Sequence, residues 1–232
     1  MSALMFPAVP IPTLAVRGDA RRFAVHRIYC VGRNFADHAR EMGSTIDRGT
    51  PVFFSKPADA VLPGGGEQAF PRGTADLHHE VELVVALGAD AATPVTAANA
   101  ETLVFGYALG LDLTRRDLQA AAKAKGLPWD TAKGFDRSAP VSEIVPATAC
   151  GALAPRRLQL EVNGVVRQQS PLSDMVWSVP EIIAELSRLF ELRAGDLIFM
   201  GTPAGVAALK PGDRYRASID DLLLLEGGFT AG

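Results

Sequence analysis

Two glutamates, Glu80 and Glu82, stand two residues apart in the stretch DLHHEVELVVALG (76–88), at the head of an apolar run containing Val81, Leu83, Val84, Val85 and Leu87. The β-branched composition and the length of that run predict a strand, in which residues i and i+2 share one face. The carboxylates then lie side by side, roughly 7 Å apart by the strand repeat. Two like charges beside a hydrophobic core repel and lose hydration, so they need a cation, a shared proton or an exposed strand end. Carboxylate oxygens are the preferred ligands of hard divalent ions such as Mg²⁺, Mn²⁺ or Ca²⁺. The plain alternative is a solvated strand start. His78 and His79 come just before the pair, and adjacent strand residues point to opposite faces, so at most one of them can join it.

Other side chains with chemistry to offer are spread along the chain. His38 and Glu41 are three apart and meet on one face if residues 35–42 form two turns of helix ended by Gly43. A carboxylate beside an imidazole orients the ring and raises its basicity, as a general base requires; an ordinary solvated pair is the alternative. Cys30 lies close by in sequence and raises a thiolate nucleophile, against the commoner reading of a core cysteine. Lys56 ends an expected strand at 51–56 and is read as a surface cation or an anion ligand. Asp112 ends another at 105–113, followed by Thr114, Arg115, Arg116 and Asp117, a suitable setting for a metal and an anion together. Arg116 and Gln119 share a face at the start of a helix that Gly126 stops. Lys133 is the notable charge of the stretch 126–146, expected to be a long irregular loop. Gly201-Thr202-Pro203-Ala204-Gly205 offers backbone N–H groups and one hydroxyl, a cradle for a carboxylate.

The elements that must position these groups follow from periodicity. Residues 25–31 and 196–200 read as buried strands, 158–162 and 165–169 as a hairpin around Asn163-Gly164, and 179–190 as an amphipathic helix with Pro180 in its first turn. Residues 96–103 have helix-like spacing. Pro63-Gly64-Gly65-Gly66 is expected to be a turn, since it joins no strand to a helix start and lacks the Gly-Lys-Ser/Thr ending of a phosphate loop. The 232 residues, 48% hydrophobic and 21% charged, are expected to make one globular domain over 21–232 behind an extended arm over 1–20. A net charge of −3 argues against a nucleic-acid partner. Two cysteines, Cys30 and Cys150, give no disulfide framework and suit a reduced compartment. The apolar start is broken by Pro7, Pro10 and Pro12 and no run reaches spanning length, so neither a signal peptide nor a membrane span is expected. The cytoplasm is the expected location.

Taken together the pieces resemble the fumarylacetoacetate hydrolase family, in its short acylpyruvate hydrolase branch. The resemblance rests on Tyr29-Cys30-Val31-Gly32-Arg33-Asn34-Phe35-Ala36-Asp37-His38, Ser55-Lys56-Pro57, His79-Glu80-Val81-Glu82-Leu83, Gly110-Leu111-Asp112 through Gln119, Lys133-Gly134-Phe135-Asp136, Asn163-Gly164 and Gly201 to Val206, in one order across residues 25–215. It implies an α+β fold of mixed β-sheets rolled into a sandwich, with short peripheral helices, as a homodimer. It further implies one divalent cation, Mg²⁺ or Mn²⁺ with Ca²⁺ as a possible substitute, held by Glu80, Glu82 and Asp112. His38 and Glu41 match the family's catalytic pair on a short lid helix, and Lys133 matches the lysine facing the metal. Arg33, Lys56, Arg116, Gln119 and Thr202 match positions that bind substrate oxygens. The tail 220–229 departs from the glycine- and asparagine-rich close of this family.

The activity so implied is metal-dependent hydrolysis of the C–C bond of an acylpyruvate, with fumarylpyruvate giving fumarate and pyruvate in aromatic-compound catabolism as the leading expectation. Oxaloacetate decarboxylation and keto–enol tautomerisation pass through the same enolate and are the alternatives. A small-acid binding protein without turnover would keep the three acids but have no use for His38 with Glu41.

Overall fold

The structure, a computed structural model, describes residues 4–41 and 48–230. Its centre is the strand Val81–Leu87, all seven residues of which are buried. Both faces of this strand are covered, which is why its sequence is a near-continuous apolar run rather than an alternation. Leu83, Val85 and Leu87 enter one core, while Val84 and Ala86 enter the other.

Around it the large sheet runs in the order Val52–Lys56, Ile28–Gly32, Leu197–Phe199, Val81–Leu87, Val104–Leu111, Ala139–Val141 and Val61–Pro63, with Val145–Pro146 also paired to Val104–Leu111. Leu197–Phe199 lies parallel to Ile28–Gly32, and Ala139–Val141 lies parallel to Val61–Pro63; the other pairings are antiparallel. A second sheet runs Val165–Pro171, Arg157–Val162, Arg214–Ile219, Leu223–Thr230 and Gly65–Ala69. Its inward residues Leu158, Leu160, Ala217, Ile219, Leu223 and Leu225 meet Leu83, Leu109 and Leu111 in the larger core. The expected α+β sandwich of mixed sheets with short peripheral helices is the observed architecture.

Several expectations change in detail. The stretch 126–146 is not irregular: it holds the helix Asp130–Lys133 and the strands Ala139–Val141 and Val145–Pro146. Elements of two to four residues are too short to show periodicity, and these strands pair with partners distant in sequence. The expected glycine turn narrows to Gly64, between Val61–Pro63 and Gly65–Ala69, and the latter pairs with Leu223–Thr230, so the divergent tail completes the second sheet. The segment expected as an arm is divided. Residues 4–12 form no strand, whereas Thr13–Val16 pairs with Asp19–Ala24 and buries Leu14 completely. Among the described residues no helix is long and apolar enough to cross a membrane.

Candidate metal and active site

The site forms where the central strand begins and its neighbour ends. Glu80 precedes Val81–Leu87, Glu82 lies within it, and Asp112 follows Val104–Leu111, whose antiparallel register sets Val81 opposite Leu111. A backbone hydrogen bond from the Asp112 N–H to the Glu80 carbonyl, 2.8 Å, closes the pair of strand ends. One carboxylate oxygen from each acid lies within 4.8 Å of the others, and all three residues are buried. Glu80 stands just outside the strand rather than in it, and the ladder still brings it to Glu82.

Three cations surround these acids. Lys133, from the short helix Asp130–Lys133, donates to Glu80 Oε2 at 2.8 Å, to Asp112 Oδ2 at 2.6 Å and to the Thr114 hydroxyl at 2.6 Å. Arg116, at the start of the helix Arg116–Lys125, donates to Glu80 Oε1 and, at 2.6 Å, to Gln119 Oε1. Lys56 reaches Asp112 Oδ1 at 2.8 Å from behind and is fully buried. Burial opposes charge on Glu80, yet Lys133 and Arg116 outweigh it and hold the carboxyl well below its usual range. Burial likewise opposes the Lys133 ammonium, and Asp112 and Glu80 overcome it and keep the proton on.

Glu82 is the exception. It accepts the Gly201 N–H at 2.7 Å, and among the described residues it has no ion pair with a cationic side chain. Burial, followed by the neighbouring Asp112 and Glu80, pushes its carboxyl well above the ordinary range. A buried carboxylate without a cation, at the centre of a hard-oxygen donor set, is the arrangement a divalent ion such as Mg²⁺ or Mn²⁺ fits.

His38 lines the same pocket from the helix Ala36–Glu41, beside Arg33, Phe54, Gln119, Trp129 and Thr202. Its Nδ1 lies 3.4 Å from Glu41, which in turn accepts the Gly205 N–H at 3.1 Å. Burial lowers the affinity of the ring for a proton, so neutral imidazole faces the pocket near neutral pH. The expected end of this helix at Met42 and Gly43 lies outside the described residues. Arg33 takes a left-handed backbone conformation with φ of 62°, and the next residue, Asn34, is clamped by bonds to the backbone of Trp177 and Met200.

The structure therefore gathers Arg33, His38, Glu80, Glu82, Asp112, Arg116, Gln119, Lys133 and Thr202 at one pocket, with Glu41 behind His38. Lys56 stands apart: it lies behind Asp112, bonds the carbonyls of Leu113 and Lys133, and does not line the pocket. His78 pairs with Asp76 and His79 with Gln168, so neither belongs to the acid cluster. Cys30 is completely buried, and burial with Asp112 nearby drives its thiol pKa far up, which leaves it in the core.

Two pocket features were not read from sequence. Lys123 continues the face of Arg116 and Gln119 one turn further, with its ammonium 5.2 Å from the Trp129 ring centre, and helical spacing alone could have found it. Gln168 supports Thr202, and its signal was a polar residue in register with the buried Leu160 of the hairpin.

A rolled mixed sheet that brings three carboxylates, a lysine and a histidine–glutamate pair to one pocket defines a class of enzyme-like sites that pair a divalent cation with proton transfer. The chain belongs to the fumarylacetoacetate hydrolase family: the family model "Fumarylacetoacetate (FAA) hydrolase C-terminal" matches residues 27–229. It is 47% identical over 196 residues to the mitochondrial oxaloacetate tautomerase FAHD1 of Rattus norvegicus, covering 84% of this chain and 88% of that protein. A fumarylpyruvate hydrolase from Pseudomonas aeruginosa, solved in complex with Mn²⁺ and pyruvate, superposes with a TM-score of 0.95 at 43% identity, over 99% of this chain and 100% of the other. A solved structure from Burkholderia cenocepacia gives 0.92 at 51% identity, over 100% of both chains.

Proposed function

We propose that this protein hydrolyses the C3–C4 bond of an acylpyruvate, with fumarylpyruvate the favoured substrate and Mg²⁺ or Mn²⁺ the cation. The observation that carries the reading is the His38–Glu41 pair, anchored through the Gly205 N–H and facing the pocket that holds Glu80, Glu82 and Asp112. Attack on a second carbonyl needs a base to activate water, and a neutral buried imidazole oriented by a carboxylate supplies one.

Glu80, Glu82 and Asp112 would hold the divalent cation, which when bound supplies Lewis acidity to the 2-oxo acid end of the substrate. His38 takes a proton from water while Glu41 fixes the ring. The hydroxide adds to C4, and the C3–C4 bond breaks with its electron pair passing to the departing pyruvate enolate. Lys133, its three N–H bonds taken by Glu80, Asp112 and Thr114, contributes its positive charge beside the developing oxyanion, and the proton on His38 returns to C3. Thr202, Gln119 and Arg116 line the pocket where substrate oxygens are received. Lys123 and Arg33, neither of them ion-paired among the described residues, face a distal carboxylate such as that of a fumaryl group.

The similarity to oxaloacetate tautomerases supports a second reading, in which His38 shuttles a proton at C3 and no bond to C4 is broken. Product analysis separates the two. Equimolar fumarate and pyruvate from fumarylpyruvate support hydrolysis; interconversion of keto and enol oxaloacetate, with fumarylpyruvate left intact, supports the second.

A further inference from the structure

The side chain of Gln168 is buried at 1% exposure and has all four of its hydrogen-bonding positions filled. Its Oε1 accepts the Val81 N–H at 3.2 Å and meets His79 Nδ1 at 2.8 Å. Its Nε2 donates to the Pro203 carbonyl at 2.8 Å and to the Thr202 hydroxyl oxygen at 2.7 Å. Two of these partners leave no freedom in the orientation of the amide: a backbone N–H only donates and a proline carbonyl only accepts. The oxygen must therefore face Val81, and the nitrogen must face Pro203 and Thr202.

Two consequences follow for neighbouring protons. Because Gln168 Nε2 is a donor, Thr202 Oγ1 accepts from it, and the hydroxyl hydrogen of Thr202 must point elsewhere. Thr202 is buried at 3% exposure, and its open side is the pocket it lines. Because Gln168 Oε1 is an acceptor, His79 carries its proton on Nδ1.

We infer that Gln168 is a positioning residue that fixes the Thr202 hydroxyl as a hydrogen-bond donor into the pocket, toward a carboxylate or oxo oxygen of the bound 2-oxo acid. The same amide ties the Thr202 loop to the Val81 peptide, which lies between Glu80 and Glu82, so the donor keeps a fixed place relative to the carboxylates. The inference deepens the reading above by assigning the polarity of one substrate contact, and it needs only a 2-oxo acid ligand, whichever reaction follows.

The test uses the Mn²⁺-supplemented full-length protein with pyruvate as probe, read by calorimetry, and ¹⁵N-histidine NMR of the metal-free protein. Thr202→Val removes the hydroxyl without changing its shape. Gln168→Glu presents an acceptor where Nε2 stood and draws the hydroxyl hydrogen away from the pocket. Each variant is expected to weaken pyruvate binding about 10-fold or more, the scale of a hydrogen bond to a charged group. The double variant should lose no more than either single one, because the two changes remove one donor. Thr202→Ser recovers most of what Thr202→Val loses, and the wild-type His79 resonances report a proton on Nδ1. Pyruvate affinity in Thr202→Val equal to wild type, additive losses in the double variant, or an Nε2–H tautomer at His79 would overturn the inference. Should Gln168→Glu not fold, the Thr202 pair and the tautomer decide. Wild-type protein that binds pyruvate yet leaves fumarylpyruvate intact would count against the hydrolase reading alone.

Discussion

Lys56 and Asp112 form an ion pair of 2.8 Å in which both side chains are fully buried. Lys56 also donates to the carbonyls of Leu113 and Lys133, so one ammonium joins the end of a central strand to the end of the helix carrying Lys133. Removing Lys56 takes the buried donor from the carbonyls of Leu113 and Lys133 and the nearer cation from Asp112 Oδ1, while Lys133 still holds Asp112 Oδ2. Lys56→Met is accordingly expected to destabilise the metal-free protein by about 3–5 kcal/mol, measured by denaturant unfolding. A loss of substrate affinity with stability unchanged would instead return Lys56 to direct substrate binding.

Glu82 is the buried carboxylate that lacks a cation, so it should govern ion affinity. Wild-type protein is expected to gain stability with Mn²⁺ concentration, about 2.7 kcal/mol at one hundred times the dissociation constant. Glu82→Gln should abolish most of that gain while leaving the metal-free protein as stable as wild type or more so, since an amide can accept the Gly201 N–H without the ionisation that burial, Asp112 and Glu80 oppose. Thermal melts with and without Mn²⁺ measure both effects. An undiminished Mn²⁺ shift in the variant would place the ion elsewhere.

The pH profile follows from His38. Burial holds its pKa below the ordinary histidine value, and the Glu41 carboxylate pulls the other way. A base is lost when it is protonated, so activity should fall on the acid side with a midpoint below the ordinary histidine value of about 6.5. Glu41→Gln removes the upward influence. The limb should move to still lower pH while kcat falls, and His38→Ala should cost about 10²–10⁴-fold in kcat. In stability the sign is the same: the unfolded chain takes up a proton that folded His38 resists, so stability declines as pH falls through and below the ordinary histidine range. A Glu41→Gln limb displaced upward would contradict the assigned role.

Lys123 and Arg33 should discriminate among substrates by the far end of the acyl chain. Lys123→Ala is expected to raise KM for fumarylpyruvate about 10-fold, the scale of one charge-assisted hydrogen bond. The same change should leave KM for acetylpyruvate, which has no distal carboxylate, nearly unaltered. Equal effects on both would show that Lys123 does not read that end.

Sequence patterning made the long elements legible because their burial is regular. The run after Glu80 predicted the central strand, Asn163-Gly164 predicted the hairpin, and Gly126 marked the end of the helix Arg116–Lys125, whose cap is left-handed at φ 64°. The same regularity placed Glu80 and Glu82 together. Asp112, Lys133 and His38 joined them through family resemblance, because their proximity depends on long-range pairing of Val81–Leu87 with Val104–Leu111 and on short elements without periodicity. What sequence spacing did not reveal was which cations were already spoken for. Lys56 and Arg116 looked equivalent as ligands for an anion, yet one is sealed behind Asp112 and the other is bound to Glu80. Gln168 escaped notice because its role is to fill hydrogen bonds across the core from the far hairpin.

The measurement that tests the central claim most directly is a single turnover of fumarylpyruvate by the Mn²⁺-supplemented protein in ¹⁸O-labelled water, with the products read by mass spectrometry. Hydrolysis through water activated by His38 predicts fumarate carrying one solvent oxygen in its new carboxylate, pyruvate in equal amount, and loss of both in His38→Ala. Intact fumarylpyruvate, alongside conversion of oxaloacetate by the same preparation, would contradict the hydrolase and leave the pocket to enolate chemistry without water attack.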